Sequence, residues 1–246
     1  MQTIFLVLPA YNEGANLPEL LDHVAAQFGA AGFDYTVAAV DDGSTDDTAE
    51  VLASYAQKMP VRAIRHVQNQ GLGLTIRDGL LEASRLAGDD DVIVSMDADR
   101  THDPGLVPRM VEMIRAGHDV VIASRFRPHA EVRGLSFHRR VVSWFASIVF
   151  RTLFPIPGVR DYTCGFRAYR AIVLKQAFEK YGDHFVDQRG FQCMADILLK
   201  LRKMQWTMGE TPMILRYDLK GGASKMHLFR TVLGTLRLIT RRLVNQ

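Results

Sequence analysis

Thr3-Ile4-Phe5-Leu6-Val7-Leu8-Pro9-Ala10-Tyr11-Asn12-Glu13 opens the chain with a short apolar run that breaks into a polar turn. A helix-period segment follows from Asn16 to Phe28. It places Leu17, Leu20, Leu21 and Val24 on one stripe, with Asn16 as a cap and Pro18 in the first turn. The same unit recurs. Tyr35 to Val40, Val61 to Val67, Asp91 to Met96 and Asp119 to Ser124 read as strands, and helical segments fall between them. Such alternation predicts βαβ units, hence an α/β fold with a mostly parallel central sheet and helices on both faces. Ligands of these sheets collect beyond the carboxyl ends of the strands, so the loops there carry the functional reading.

Those loops are acidic and polar. Pro9 to Glu13 follows the first strand, Asp41-Asp42-Gly43-Ser44-Thr45-Asp46-Asp47-Thr48 the second, and Asp97-Ala98-Asp99 the fourth. Residues two apart in a strand face one side, so Asp97 and Asp99 can enter one site, where their mutual repulsion calls for a cation. A hard divalent ion, Mg2+ or Mn2+, bridging to a diphosphate is the economical answer. Asp41 and Asp42 stand where a carboxylate can accept hydrogen bonds from a base or a ribose. Asp46 or Thr45 can cap the next helix, and Asp99 or Asp103 the one near Pro104.

The 246 residues are 48% hydrophobic and 23% charged, which excludes disorder and collagen-like repeats. The net charge of +3 hides a division: residues 1–120 carry −11 and residues 121–246 carry +14. The first half suits a cation, the second phosphates or an anionic membrane surface. Beyond Ser124, Phe137 to Phe154, Ala171 to Lys180 and Phe191 to Met204 read as helices, and residues 126–134 as a mobile loop. Leu228 to Val244 is an amphipathic helix with Phe229, Val232, Leu233, Leu236, Ile239 and Leu243 on one side and Arg230, Arg237 and Arg241 opposite. The longest apolar stretch, Val141 to Phe150, is well short of the ~20 residues of a membrane span. Cys164 and Cys193 form no framework, and the expected compartment is the cytoplasm. The expected organisation is one domain, 1–246, with an acidic, metal-binding half (1–124), an arginine-rich half (125–226) and the basic helix (227–246).

The three loops resemble the family 2 glycosyltransferases with the GT-A fold, and within them the polyprenol (dolichyl) phosphate mannose synthases. Asn69-Gln70-Gly71-Leu72-Gly73, Ser124-Arg125-Phe126, Asp161 to Arg167 and Gly222-Ala223-Ser224-Lys225 extend the resemblance over nearly the whole chain. It implies an inverting transferase that moves mannose from GDP-mannose to a polyprenyl phosphate at the cytoplasmic face of a membrane, with a small membrane subunit as a further partner and no nucleic acid. By the same resemblance Pro9, Tyr11, Glu13, Asp41 and Asp42 hold the nucleoside, and Asp97 and Asp99 hold the metal and diphosphate. Arg125, Arg139 and Ser143 take the acceptor phosphate, with Asp99, Arg125 and Arg139 as the catalytic set. Arg216 and Lys225 close over the diphosphate. The chain departs from the pattern twice: Thr101 replaces a metal-ligating Gln, and five residues separate Arg216 from Gly222 where the family has two.

A lipid phosphate is already ionised and needs no general base, whereas a sugar hydroxyl does. The alternative reading is therefore a UDP-sugar donor or a saccharide hydroxyl acceptor, with Asp187 or Asp161 as base. A sugar-nucleotide pyrophosphorylase would need a glycine-rich start, which Leu8-Pro9-Ala10-Tyr11 lacks. The basic helix and the Trp144 to Phe150 segment are the candidates for a membrane-facing surface.

Overall fold

The computed structural model describes residues 2–220 and 228–244, with side chains throughout except at 228–232 and 243–244. The first half runs β1 (Ile4–Ala10), α1 (Leu17–Ala30), β2 (Tyr35–Asp41), α2 (Thr48–Tyr55), β3 (Val61–Arg65), α3 (Leu72–Leu86), β4 (Val92–Ser95), α4 (Val107–Arg115) and β5 (Val120–Ser124). All five expected strands form, and β3 ends before Val67, which is exposed. β1, β4 and β5 are buried along their whole length, as strands covered on both faces must be. α1 buries the expected Leu17, Leu20, Leu21 and Val24 together with Phe28.

The second half adds β6 (Glu131–Arg133), α5 (Phe137–Leu153), β7 (Arg167–Arg170), α6 (Ala171–Tyr181), α7 (Cys193–Arg202), β8 (Met208–Pro212), β9 (Ile214–Arg216) and α8 (Leu228–Val244). The main sheet has the order β3-β2-β1-β4-β7-β5-β8. β7 alone runs antiparallel, between β4 and β5. β6 and β9 form a separate parallel pair, so part of the segment expected to be loop, 126–134, is a strand. β7 carries Arg167, wholly buried, whose Nη1 donates to Met194 O at 2.7 Å and whose Nη2 donates to Tyr162 O at 2.9 Å. Those bonds to backbone carbonyls let a charged residue sit in a central strand.

The expected caps are only partly used. Asn16 occupies the cap position of α1 but its amide donates to Glu13 Oε2 at 2.6 Å instead of closing the helix. Asp46 accepts from Thr48 N at 3.1 Å at the start of α2, and Asp103 accepts from Gly105 N at 2.8 Å.

α8 also differs from its expected stripe. Leu238 and Ile239 are buried while Leu233 and Leu236 are exposed; Phe229, Val232, Leu243 and Arg230 lie outside the described side chains. A buried carboxylate sets this orientation. Asp196 of α7 pairs with Arg242 at 2.6 Å and with Lys200 at 2.7 Å, and Arg241 reaches Asp187 at 3.2 Å. Removing one partner of a buried ion cluster strands the others without compensation. Asp196→Ala is expected to cost about 3–5 kcal/mol of unfolding free energy in denaturant melts; a cost under about 1 kcal/mol, the range of exposed pairs, would mean that the cluster does not anchor α8.

Candidate active site

The chain leaves β1 toward β2 and β3, then crosses to β4 on the other side of β1. That reversal is the topological switch point, where open α/β sheets form their ligand crevice. Loops from β1, β2 and β4 meet there, and the first two are stitched together. Asn12, at a positive φ of 52°, donates its N–H to Ser44 Oγ at 2.9 Å and accepts from Thr45 N at 2.8 Å. Glu13 N donates to Thr48 Oγ1 at 2.9 Å and Gly14 N to Asp46 Oδ2 at 3.1 Å. Ser44, Asp46 and Thr48 therefore shape the crevice rather than face it. Pro9 is buried inside β1, Glu13 is buried beside Asn16, and Tyr11 is half-buried.

The two adjacent aspartates do different work. Asp42 spends its carboxylate on the protein: Oδ1 faces His66 Nδ1 at 2.7 Å and accepts from Gln70 N at 2.8 Å, and Oδ2 accepts from Gly71 N at 2.9 Å. It thereby fixes the 66–71 loop. A Cβ on Gly71 would meet Arg189 O at 3.0 Å, and one on Gly73, in the first turn of α3, Gln188 O at 1.7 Å, so the end of this loop and the 188–189 backbone touch directly. Asp41 Oδ1 accepts from Ser44 N at 2.9 Å, but its buried Oδ2 has no hydrogen-bond partner, with Arg65 Nε 3.4 Å away. A carboxylate oxygen at the crevice that has an ion pair but no hydrogen bond fits an N–H or O–H donor supplied by a nucleoside.

Asp97 and Asp99 end β4 as expected. Asp97 keeps 39% of its side chain accessible and lies beside His102, whose Nε2 is 3.9 Å from Oδ2. Burial, with Asp99 adding to it, pushes the Asp97 carboxyl above its usual range, against the pull of His102. Asp99 is buried. Burial opposes its charge, but the Lys220 ammonium bonded to Oδ2 and the Thr101 hydroxyl donating to Oδ1 at 2.6 Å hold its pKa below the ordinary value. Thr101 is thus turned onto Asp99 and not toward a shared ligand. Among the described residues no group of three His, Cys, Asp or Glu side chains converges as a metal cage. Two carboxylates with an ammonium already drawn to one of them nevertheless fit a hard divalent ion that takes its remaining ligands from phosphate and water.

On the far side of the cleft Arg125 is clamped. Nε and Nη2 donate to Asp161 Oδ2 and Oδ1 at 2.8 and 2.6 Å, Nη2 also reaches Thr163 Oγ1 at 2.6 Å, and Asp161 is fully buried. Burial would disfavour the Asp161 anion, yet Arg125 and backbone N–H groups lower its pKa. Glu210 Oε1 accepts from Arg160 N and Asp161 N, both at 2.6 Å, and so fixes this turn from beneath. Arg139 Nη1 donates to Tyr217 OH at 2.9 Å. Ser143 lies one turn further along α5, its Oγ buried and without a hydrogen bond among the described residues.

Asp161, Asp187 and Arg216 each have another partner in this structure. Neither Asp161 nor Asp187 is placed as a free base: the first is locked to Arg125, and the second pairs with Lys200 and Arg241. At Asp187 burial opposes the charge, but the Gln188 amide and those cations bring its pKa to about 2. Arg216 does not turn into the cleft. Its side chain pairs with Asp218 at 2.9 Å on the exposed edge of β9, and only its backbone N–H reaches the carboxylate loop, at Thr101 O, 2.9 Å. Lys225 lies outside the described residues.

Lys220, His102 and Tyr217 carry no role that the sequence alone assigns. His102 is buried, stacks on Phe166 with ring centroids 5.1 Å apart, and accepts from Asp97 N at 3.2 Å. The only signal for Lys220 was the irregular spacing after Arg216, which brings a second cation into reach of the cleft.

Comparison with known proteins agrees with this architecture. The chain is 33% identical over 198 residues to the dolichol-phosphate mannosyltransferase of Pyrococcus furiosus, covering 80% of this chain and 52% of that enzyme, so it spans about half of that relative's length. It is 32% identical over 234 residues to the polyprenol monophosphomannose synthase of Mycolicibacterium smegmatis, covering 92% and 81%. Among solved structures, glucosyl-3-phosphoglycerate synthase from Mycobacterium tuberculosis, in complex with Mn2+, UDP and phosphoglyceric acid, superposes with a TM-score of 0.69 at 19% identity, over 99% of this chain and 78% of the other. The model of the family "Glycosyl transferase family 2" matches residues 5–178, which span β1 through most of α6 and hold the loops after β1, β2 and β4, and the chain belongs to that family.

Proposed function

We propose that the protein is an inverting glycosyltransferase that moves mannose from GDP-mannose to a polyprenyl or dolichyl phosphate at a membrane surface. The observation that carries this reading is the pairing on the acceptor side: an arginine is held in place beside the carboxylate pair, and both carboxylates that could serve a hydroxyl acceptor as base are neutralised by cations. That arrangement suits an acceptor that arrives as an anion. Both relatives named above are, by name, polyprenol- or dolichol-phosphate enzymes.

In this reading Asp41 Oδ2 accepts from the nucleoside, with Pro9, Tyr11, Glu13 and Asp42 shaping its seat, and Asp97 and Asp99 face the diphosphate. A bound Mg2+ or Mn2+ supplies charge neutralisation at the leaving diphosphate. Arg125, Arg139 and Ser143 receive the acceptor phosphate and set it in line with the anomeric carbon. A phosphate oxygen forms the new bond to that carbon as the bond to the diphosphate oxygen breaks, and the electron pair leaves with the nucleoside diphosphate. No proton moves, and an α-linked donor gives a β-linked product.

α5 joins this site to a surface. Phe137, Trp144 and Phe145 are 80%, 57% and 63% exposed, and Val141 is exposed between them, while Ser147 and Phe150 face inward. Of the segment Trp144 to Phe150, therefore, only part is available for contact. No helix among the described residues is long and apolar enough to cross a membrane. We assign the outer face of α5, with the exposed Leu233 and Leu236 of α8, to contact with the lipid surface or a small membrane subunit.

Product analysis with labelled GDP-mannose and a polyprenyl phosphate in detergent, with UDP-glucose in parallel, tests the reading. Metal-dependent β-mannosyl lipid from GDP-mannose is the expected result, lost in Asp97→Asn; donor turnover onto a saccharide alone would sink it. Arg125→Lys keeps the charge but not the clamp, and is expected to lower transfer about 100-fold with nucleotide binding unchanged. The double change Trp144→Ser, Phe145→Ser is expected to weaken co-flotation with anionic vesicles about tenfold or more; unaltered flotation would remove α5 from the interface.

A further inference from the structure

Lys220 is the strongest unassigned feature of the cleft. Its ammonium bonds Asp99 Oδ2, its side chain is only 14% exposed, and it sits over the Tyr217 ring with Nζ 5.2 Å from the centroid. The opposite oxygen of Asp99 is already taken by the Thr101 hydroxyl and N–H, at 2.6 and 3.2 Å. Asp99 therefore has both oxygens occupied, whereas Asp97 keeps an open carboxylate. With Oδ1 taken by two Thr101 donors, a cation that uses both aspartates meets Asp99 at Oδ2, where it competes with Lys220.

A sugar-nucleotide diphosphate brings two further negative charges to a site that already holds two carboxylates. Arg125 is committed to Asp161, and Arg216 to Asp218. Lys220 is the described cation whose partner is itself needed elsewhere when a divalent ion is present. Its four-carbon stem and point charge suit a move of a few ångströms, which a clamped guanidinium does not allow.

We propose that Lys220 is an internal counterion exchanged during donor binding: it holds Asp99 in the donor-free protein, gives that carboxylate up to the divalent ion, and passes to the diphosphate. The inference rests on the reading of Asp97 and Asp99 as the metal pair. It makes metal and nucleotide binding mutually dependent, since Lys220 competes with the metal when no diphosphate is there to receive it. Such coupling is reciprocal by linkage.

The test is Mn2+ binding to the full chain, followed by the electron paramagnetic resonance of free Mn2+, with and without GDP. The wild type is expected to bind Mn2+ weakly alone and more tightly with GDP. Lys220→Gln and Lys220→Met are expected to bind Mn2+ alone about tenfold more tightly, and to lose about tenfold of the enhancement by GDP. If both variants melt like the wild type and bind Mn2+ alone no more tightly, Lys220 is not the exchanged counterion. Asp97→Asn separates the two levels of the argument. Wild-type Mn2+ affinity in that variant, or no Mn2+ binding by the wild type even with GDP, would overturn the metal-pair reading itself.

Discussion

The repulsion between Asp97 and Asp99 is the constraint on which the rest of the cleft depends. Two carboxylates set two residues apart at the end of a buried strand cannot both stay ionised in a low-dielectric setting without positive charge nearby. The protein divides the problem. Asp99 is fully bonded, by Thr101 on one oxygen and Lys220 on the other, and its pKa falls. Asp97 is left partly open beside His102, and its pKa rises. One partner of the pair is thus satisfied by the protein and the other is poised to gain from a cation, an asymmetry that a symmetric pair of exposed aspartates would lack.

β7 makes this division possible. Entering the sheet antiparallel between β4 and β5, it brings the segment before it, residues 161–166, across the mouth of β4. Ser95 Oγ donates to Gly165 O at 2.7 Å, and a Cβ on Gly165 would lie 3.4 Å from Asp97 Oδ1, so that backbone passes directly under the carboxylate. The same segment supplies Asp161, the anchor of Arg125. Its turn is held from below by Glu210, whose pKa is raised by burial. Arg167, tied to Met194 O and Tyr162 O, fastens the strand to α7 and to the loop. Arg125 is thus placed by a chain of buried polar bonds, each expensive to leave unmade.

What the sequence revealed and what it hid follow from one difference. β1 to β5 are apolar runs punctuated by turns, so periodicity found them, and the Asp97–Asp99 pair could be placed at a strand end from spacing alone. β7 was hidden because its alternation is interrupted by a buried arginine, and β6 and β9 because three-residue strands bearing Glu131, Arg133 and Arg216 hold no apolar period. The charges of Asp161, Asp187 and Asp42 were visible, but their employment was not: whether a carboxylate is free or spent depends on partners 24 to 54 residues away, such as His66 for Asp42, Arg125 for Asp161 and Arg241 for Asp187. Arg216 and Lys220 show the same limit at short range. Four residues apart, Lys220 and not Arg216 reaches the cleft carboxylate, because the Asp218 carboxylate captures the arginine at the surface.

On the proposed reading, α5 explains how one fold can act on a substrate that is half lipid and half anion. Arg139 and Ser143 lie one helical turn apart, and Phe137, Val141, Trp144 and Phe145 occupy the exposed face of the same helix. At ~1.5 Å of rise per residue, a phosphate held by the first pair lies within about a turn or two, along the helix, of the apolar contacts made by the second. A polyprenyl chain anchored in a bilayer can present its headgroup only near the interface. A rigid helix that carries both sets of residues fixes the depth of the arginine against the depth of the aromatic side chains, which a loop could not do. The stiffness of α5 is then part of the substrate selection: an acceptor whose anion lies far from an apolar surface would meet only half of the helix.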